Sequence, residues 1–186
     1  MFKVYDSLVE RQRAKERSDG YFLLTMAFLT AVMWVIMALN YFVFLSVRVQ
    51  GPSMQPTLYT GDVLMVNRLK SIDKGSIIVI QGEKEYWLIK RVIATEGDVI
   101  EYGADEYVYI NGKKYVDEFG SAKYTGHGGT FERTVVGKNE IFYLGDNRLN
   151  SSDSRDYGTC KVSQVVGVVE NWSVEHKILK KIMFWV

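Results

Sequence analysis

From Tyr21 to Val47 the chain carries no charged residue, and Phe22 to Leu45 is dominated by Leu, Phe, Met, Val, Ala and Ile. A helix rising about 1.5 Å per residue through such a stretch crosses a hydrocarbon core of about 30 Å with some tilt. A secretory signal peptide has an apolar region of only about 7 to 15 residues followed by a small-residue cleavage site. Here Asn40-Tyr41-Phe42-Val43-Phe44 stands where that site would fall, so the segment is expected to remain as an anchor over residues 21–47. Lys3, Arg11, Arg13, Lys15 and Arg17 precede it and only Arg48 closely follows, which puts residues 1–20 in the cytoplasm and everything after Val47 outside. A single-pass protein of the cell membrane, in contact with the lipid bilayer, is the expected topology.

A chain of 186 residues has room for one compact domain besides the anchor. The formal charge of +1, with no basic stripe interleaved with aromatics, gives no reason to bind nucleic acid. One cysteine, Cys160, cannot form an intrachain disulfide, and it reads as a small apolar residue. His127 and His176 are isolated and no His/Cys cluster has ligand spacing, so neither a metal nor another cofactor is expected.

Beyond the anchor, alternation of apolar and polar residues dominates. Residues 62–67, 76–80, 86–94, 140–144 and 164–169 read as strands bounded by Gly, Asp or charged turns. Tyr107 to Val116 reads as a hairpin whose Asn111-Gly112 turn suits a tight type I′ connection. The expected fold is mainly β, an antiparallel and largely closed, barrel-like domain over residues 48–175 with a small β insertion near 103–139. Gly120 to Gly129 reads as a surface loop, and residues 176–186 as a basic amphipathic segment that lies at a membrane interface or packs on the domain.

Three constellations carry the chemistry. Ser53 lies in Gly51-Pro52-Ser53-Met54-Gln55-Pro56-Thr57-Leu58, where two prolines restrict the backbone and Gly51 leaves room for another chain to approach. The alternative is an ordinary proline-bounded turn. Lys90 sits at the centre of a strand that is apolar on both faces, Tyr86, Leu88, Val92 and Ala94 on its own side and Trp87, Ile89 and Ile93 on the other. Burial there disfavours the ammonium form, and neutral lysine is a usable general base. Lys90 could instead be a charge that protects a sheet edge, with Arg91 a structural ion-pair partner. A serine hydroxyl needs a base at neutral pH and no histidine is suitably placed in the sequence, which favours the catalytic reading. The third constellation is the polar run from Gly145 to Gly158, whose alternating Asp and Arg suggest a fixed ion-pair network. Its acids lack calcium-loop spacing, and the cations Arg148 and Arg155 sit between them.

In order, GPSMQPTL behind an anchor, GDVLMVNR, KRVIATEGD and GDNRLNSSDSRDYG resemble the bacterial type I signal peptidases, over about Val47 to Asn171. The resemblance implies a membrane-bound serine endopeptidase with a Ser/Lys dyad that cuts signal peptides from preproteins emerging from the secretion translocon. By position, Ser53 resembles the nucleophile and Lys90 the general base. Ser151 matches the serine that orients the lysine, Asp153 and Arg155 its supporting ion pair, and Asp146, Arg148 and Arg91 residues that hold the active-site wall. The backbone N–H of Ser53 is the expected oxyanion donor. Some relatives have a serine where this chain has Gly51, so that side-chain donor is absent. Cleavage after an Ala-x-Ala-like pattern needs shallow pockets, for which Val49, Gly51, Met54, Leu58, Leu88 and Ile89 are the expected lining. Ala94-Thr95-Glu96 and Leu149 depart from the family's usual residues without touching the dyad, and the short interval from Lys90 to Gly145 leaves no room for a large second domain.

Two other readings compete. A self-cleaving cytoplasmic repressor with a Ser/Lys dyad would lack the anchor. A non-catalytic, membrane-tethered pilus or assembly protein of the same fold would not need both Ser53 and Lys90.

Overall fold

The structure is a computed structural model that describes residues 2–82, 86–103, 105, 107–116 and 133–175. The Gly-rich run 120–129, both histidines and the C-terminal segment 176–186 lie outside the described residues. The chain divides into two compact units, residues 1–42 and 43–186.

The first unit is almost wholly helix α1 (Phe2–Val43). Its stretch from Lys15 to Val43 is long and apolar enough to cross a membrane. The helix stops four residues before the charge-free stretch does. Phe44 to Val47 instead begin strand β1 (Phe44–Arg48), where alternation turns Leu45 and Val47 toward the core cluster of the second unit. The first twenty residues, read as a cytoplasmic segment of no stated structure, belong to α1 from Phe2 onward.

The second unit contains two antiparallel sheets. Seven strands run in the order β1, β2 (Val63–Asn67), β11 (Val165–Val169), β3 (Ile77–Gln81), β4 (Trp87–Thr95), β9 (Glu140–Leu144) and β10 (Cys160–Lys161). Each expected strand of this sheet is present within a residue or two. Among the described residues no ladder joins β10 back to β1, so the closure expected from the spacing of strands is not found in the hydrogen bonding. With β10 only two residues long, its ladder to β9 is confined to Cys160 opposite Ile141 and Lys161 opposite Glu140.

The smaller sheet runs β7 (Lys113–Lys114), β6 (Val108–Ile110), β5 (Val99–Tyr102) and β8 (Thr134–Val135), and its strand β5 lies before the 103–139 bounds expected for an insertion. Asn111 and Gly112 both have positive φ, +52° and +73°, as a type I′ hairpin turn requires. Ile100, Val108 and Val136 of this region bury against Ile93, Phe142 and Leu144, welding the insertion to β4 and β9. Thus β4 is central. One of its faces packs on a cluster with Val79, Met54 and Leu58 through Ile89, and the other on Ile78, Tyr143 and Cys160 through Leu88 and Val92.

Candidate active site

Along β4 the two adjacent cations Lys90 and Arg91 are each 3 % exposed. Alternation sends their side chains to opposite faces. Lys90 shares its face with Leu88 and Val92, and has no hydrogen bond or ion pair with any described residue. Burial pulls its pKa down from 10.5 to about 8; Asp153 opposes the fall, Arg155 adds to it, and Asp146 and Asp156 oppose it. Desolvation of the ammonium outweighs three nearby carboxylates because none of them reaches contact with it.

Arg91 is held quite differently. Its Nε and Nη2 donate to the two oxygens of Asp146 at 2.8 and 2.7 Å, and Nη1 donates to the Gly75 carbonyl at 2.7 Å. The same Asp146 carboxylate accepts from Thr57 Oγ1 at 2.5 Å. One buried fork therefore ties β4 to the loop after β9 and to the loop that carries Ser53.

That loop after β9 is organised by Asp153, which is fully buried. Its carboxylate accepts from Arg155 Nε at 2.7 Å and Nη2 at 2.9 Å, from Ser151 Oγ at 2.8 Å and from the Gly145 N–H at 2.9 Å. Asp153 also caps helix α2 (Ser154–Tyr157), while Asp156 accepts from the Asp153 N–H in return. Arg155 reaches further, donating to the carbonyls of Arg148 at 2.7 Å and Ser151 at 3.0 Å, and Arg148 Nε donates to the Gly145 carbonyl at 3.0 Å. The alternating acids and arginines form one network that fixes Ser151 and Gly145.

Gly145 is where the pieces meet. Because Leu144 pairs with Arg91, one further step along β9 brings Gly145 level with Lys90. A Cβ added at Gly145 would strike Ser151 Oγ and Cβ and stand 2.6 Å from the Ser53 carbonyl oxygen, so only glycine admits the serine loop here. The Ser53 carbonyl accepts from the Asn147 N–H at 3.0 Å, and the Pro52 carbonyl from Asn147 Nδ2 at 3.2 Å. Ser53 is half-buried, and neither its hydroxyl nor its backbone N–H has a hydrogen-bond partner among the described residues. Gly51 two residues earlier takes φ +87°, which turns the chain into the loop. Among the described residues no group of three or more His, Cys, Asp or Glu side chains could hold a metal ion.

A half-buried serine, a buried lysine that no described residue pairs with and a second serine fixed by a carboxylate thus converge on one glycine. The family model for signal peptidase, peptidase S26, matches residues 22–173, which includes all of them. The chain belongs to the signal peptidase family. A signal peptidase I of Bacillus caldolyticus is 40% identical over 153 residues, 73% of this chain and 82% of that one. Signal peptidase I V of Bacillus subtilis (strain 168) is 34% identical over 77% of this chain and 95% of its own, and a signal peptidase I of Streptococcus pneumoniae 35% identical over 66% and 78%. Signal peptidase I enzymes are serine endopeptidases, hence hydrolases, and this chain is an enzyme of that kind.

Of the residues expected to line the pockets of a signal peptidase, Val49, Met54, Leu58 and Ile89 share one cluster, whereas Leu88 does not. Val49, Met54 and Leu58 are core residues at 2, 1 and 1 % exposure, and Ile89 packs on their cluster. Leu88, the next residue, faces the opposite side. Strand alternation makes it impossible for Leu88 and Ile89 to line one face. Thr57, Asn147, Gly145 and Ser154, whose Oγ accepts from the Tyr143 N–H at 2.9 Å, also hold the site together. Thr57 lies four residues from Ser53 within the same motif, the one sequence signal that pointed to it.

Proposed function

We propose that this chain is a membrane-anchored serine endopeptidase that removes signal peptides from exported preproteins by cutting after small residues. The observation that carries the reading is Lys90, buried beside the serine loop with no counter-ion among the described residues and a pKa of about 8. At pH 7 about a tenth of such lysines are neutral, against roughly one in three thousand at a pKa of 10.5.

In this reading Lys90 Nζ takes the Ser53 hydroxyl proton as Oγ bonds to the scissile carbonyl carbon. The oxyanion is met by the Ser53 N–H, which no described residue engages. Collapse breaks the C–N bond, and the Lys90 ammonium returns the proton to the leaving amine, giving an acyl-Ser53 ester. Lys90 then deprotonates the water that attacks the ester, and as the acyl–Oγ bond breaks, its ammonium returns the proton to Ser53 Oγ, releasing the acid and the neutral lysine. Ser151 donates its own proton to Asp153, so its lone pairs are available to accept from Lys90 and aim it. Ser53 and Lys90 are not hydrogen-bonded to each other without substrate, as is common for catalytic pairs before the substrate closes them up.

Substrate recognition in this reading uses a strand edge that no described strand pairs with. Trp87 to Lys90 pair with β3 on one side, whereas β9 covers the other side of β4 only from Arg91 to Thr95. An extended peptide laid along the uncovered edge continues the line of β9 and gains main-chain hydrogen bonds without being read side chain by side chain. The first and third residues before the cut then face the Ile89, Met54 and Leu58 side, where dense packing admits only small groups. The charge-free part of α1 and the basic residues in its first turns up to Arg17 support an anchor with its N-terminus in the cytoplasm and the site outside. The experiment is cleavage of a preprotein by detergent-solubilised protein. Wild type cuts after a small residue and Ser53→Ala and Lys90→Ala each lose about a thousandfold or more while remaining folded; undiminished cutting by either variant sinks the dyad.

A further inference from the structure

The peptide unit between Pro52 and Ser53 carries the donor that the proposed reaction aims at the oxyanion, the Ser53 N–H. Gly51, two residues before the nucleophile, has no side chain to add another. How that single N–H is aimed therefore matters to the reaction. The Pro52–Ser53 bond is trans, so its C=O and N–H point in opposite directions. Whatever holds the Pro52 carbonyl sets the direction of the Ser53 N–H.

Two donors hold that carbonyl. The Gln55 N–H closes a turn onto it at 3.0 Å, and Asn147 Nδ2 donates to it at 3.2 Å from 95 residues further along the chain. The Asn147 N–H also donates to the Ser53 carbonyl at 3.0 Å, so one residue grips the carbonyls on both sides of the Ser53 Cα. Asn147 is itself held from either side, since Asp146 is locked in the fork with Arg91 and Arg148 Nε donates to the Gly145 carbonyl. Its half-buried side chain makes no other hydrogen bond to a described residue. A carbonyl that accepts hydrogen bonds polarises its amide and makes the N–H of the same peptide a better donor, by about 10 to 30% per bond.

We propose that Asn147 is a positioning residue for the oxyanion: its side-chain amide, by holding the Pro52 carbonyl, aims and strengthens the Ser53 N–H that meets the developing charge. The proposal rests on the peptidase reading and adds to it the residue that prepares the oxyanion site. Asn147 acts through the Pro52–Ser53 peptide and transfers no proton, so its contribution belongs to the transition state and leaves ground-state binding alone. Outright removal of an oxyanion donor costs about 10² to 10³ in kcat. Here the N–H survives and loses only its support, so about tenfold is expected.

The test compares full-length wild type, Asn147→Ala and Asn147→Asp in detergent on one signal-peptide substrate, with kcat and KM read separately at about pH 10, above the Lys90 pKa of about 8. Both variants keep the backbone N–H that holds the Ser53 carbonyl. Alanine leaves a gap that water can fill, whereas aspartate keeps the shape and turns an acceptor toward the Pro52 carbonyl. Asn147→Ala should lose about tenfold in kcat and Asn147→Asp more, each with KM within about twofold of wild type. The acid limb of Asn147→Ala should stay near 8. A wild-type kcat in Asn147→Asp overturns the proposal. So does a loss carried by KM, or an acid limb that moves in Asn147→Ala, because a residue that only packs the loop would disturb the substrate site or Lys90 as well. Failure of both variants to fold makes Asn147 structural and overturns it too. Each of these results leaves the peptidase standing. An inert wild type, or cutting by Ser53→Ala, instead overturns the peptidase reading and the role of Asn147 with it.

Discussion

Lys90 and Arg91 are neighbours on one strand, equally buried, and they have opposite fates. Arg91 is given a bidentate carboxylate, a backbone carbonyl and a place in a network, and so contributes to architecture. Lys90 is given apolar walls and carboxylates held out of contact, so its charge is a burden to the folded state. The same degree of burial produces a structural cation in one case and a reactive base in the other, and the deciding difference is whether a partner reaches the charged atoms.

Removing each cation should therefore move stability in opposite directions. Lys90→Met should abolish cleavage, by about a thousandfold or more, while making the protein more stable at pH 7 by up to about 3 kcal/mol. Because the folded pKa of about 8 lies below the unfolded value of 10.5, the unfolded chain binds more protons between those values. The wild-type penalty is thus full below pH 8 and fades as pH rises toward 10.5, and the gain from Lys90→Met should fade with it in denaturant titrations at pH 7 and pH 10. A destabilised Lys90→Met protein at pH 7 would erase the contrast.

Arg91→Met should cost about 3 to 5 kcal/mol, since it leaves Asp146 buried and unpaired. Because Asp146 also anchors Thr57, activity should fall as the Ser53 loop loosens, with the loss of stability seen as a lowered urea midpoint. A smaller effect is expected from Thr57→Val, about 1 kcal/mol for one hydrogen bond to a carboxylate that keeps its arginine. If this variant loses activity while its urea midpoint stays put, Thr57 positions the nucleophile loop rather than merely packing it.

Much of this contrast was legible in the amino-acid order. A lysine in the middle of Trp87-Leu88-Ile89-Lys90-Arg91-Val92-Ile93 is buried if the strand is, because neighbours on both faces are apolar, and the Asp/Arg alternation after Gly145 announced a fixed network. Partners at long range were not legible. Asp146 chose Arg91 and not Lys90 because strand alternation sends only Arg91 to its side, a consequence of register. Gly145 gave no sign that a loop nearly a hundred residues earlier would press against it. The end of α1 was hidden because Phe44, Leu45 and Val47 are as apolar in a strand that packs on a core as in a helix that crosses lipid. The edge of β4 that no described strand covers was hidden because the extent of a ladder depends on which strands stop short, and alternation alone does not report that.

The pH dependence of kcat/KM for a signal-peptide substrate tests the central claim most directly, that Lys90 acts as a neutral base because burial without a partner has lowered its pKa. Activity should climb from acid pH with a single apparent pKa near 8, set by free enzyme. An acid limb near 10.5 would mean that Lys90 is solvated as a free lysine, and a limb at carboxylate pH would mean that it is not the base.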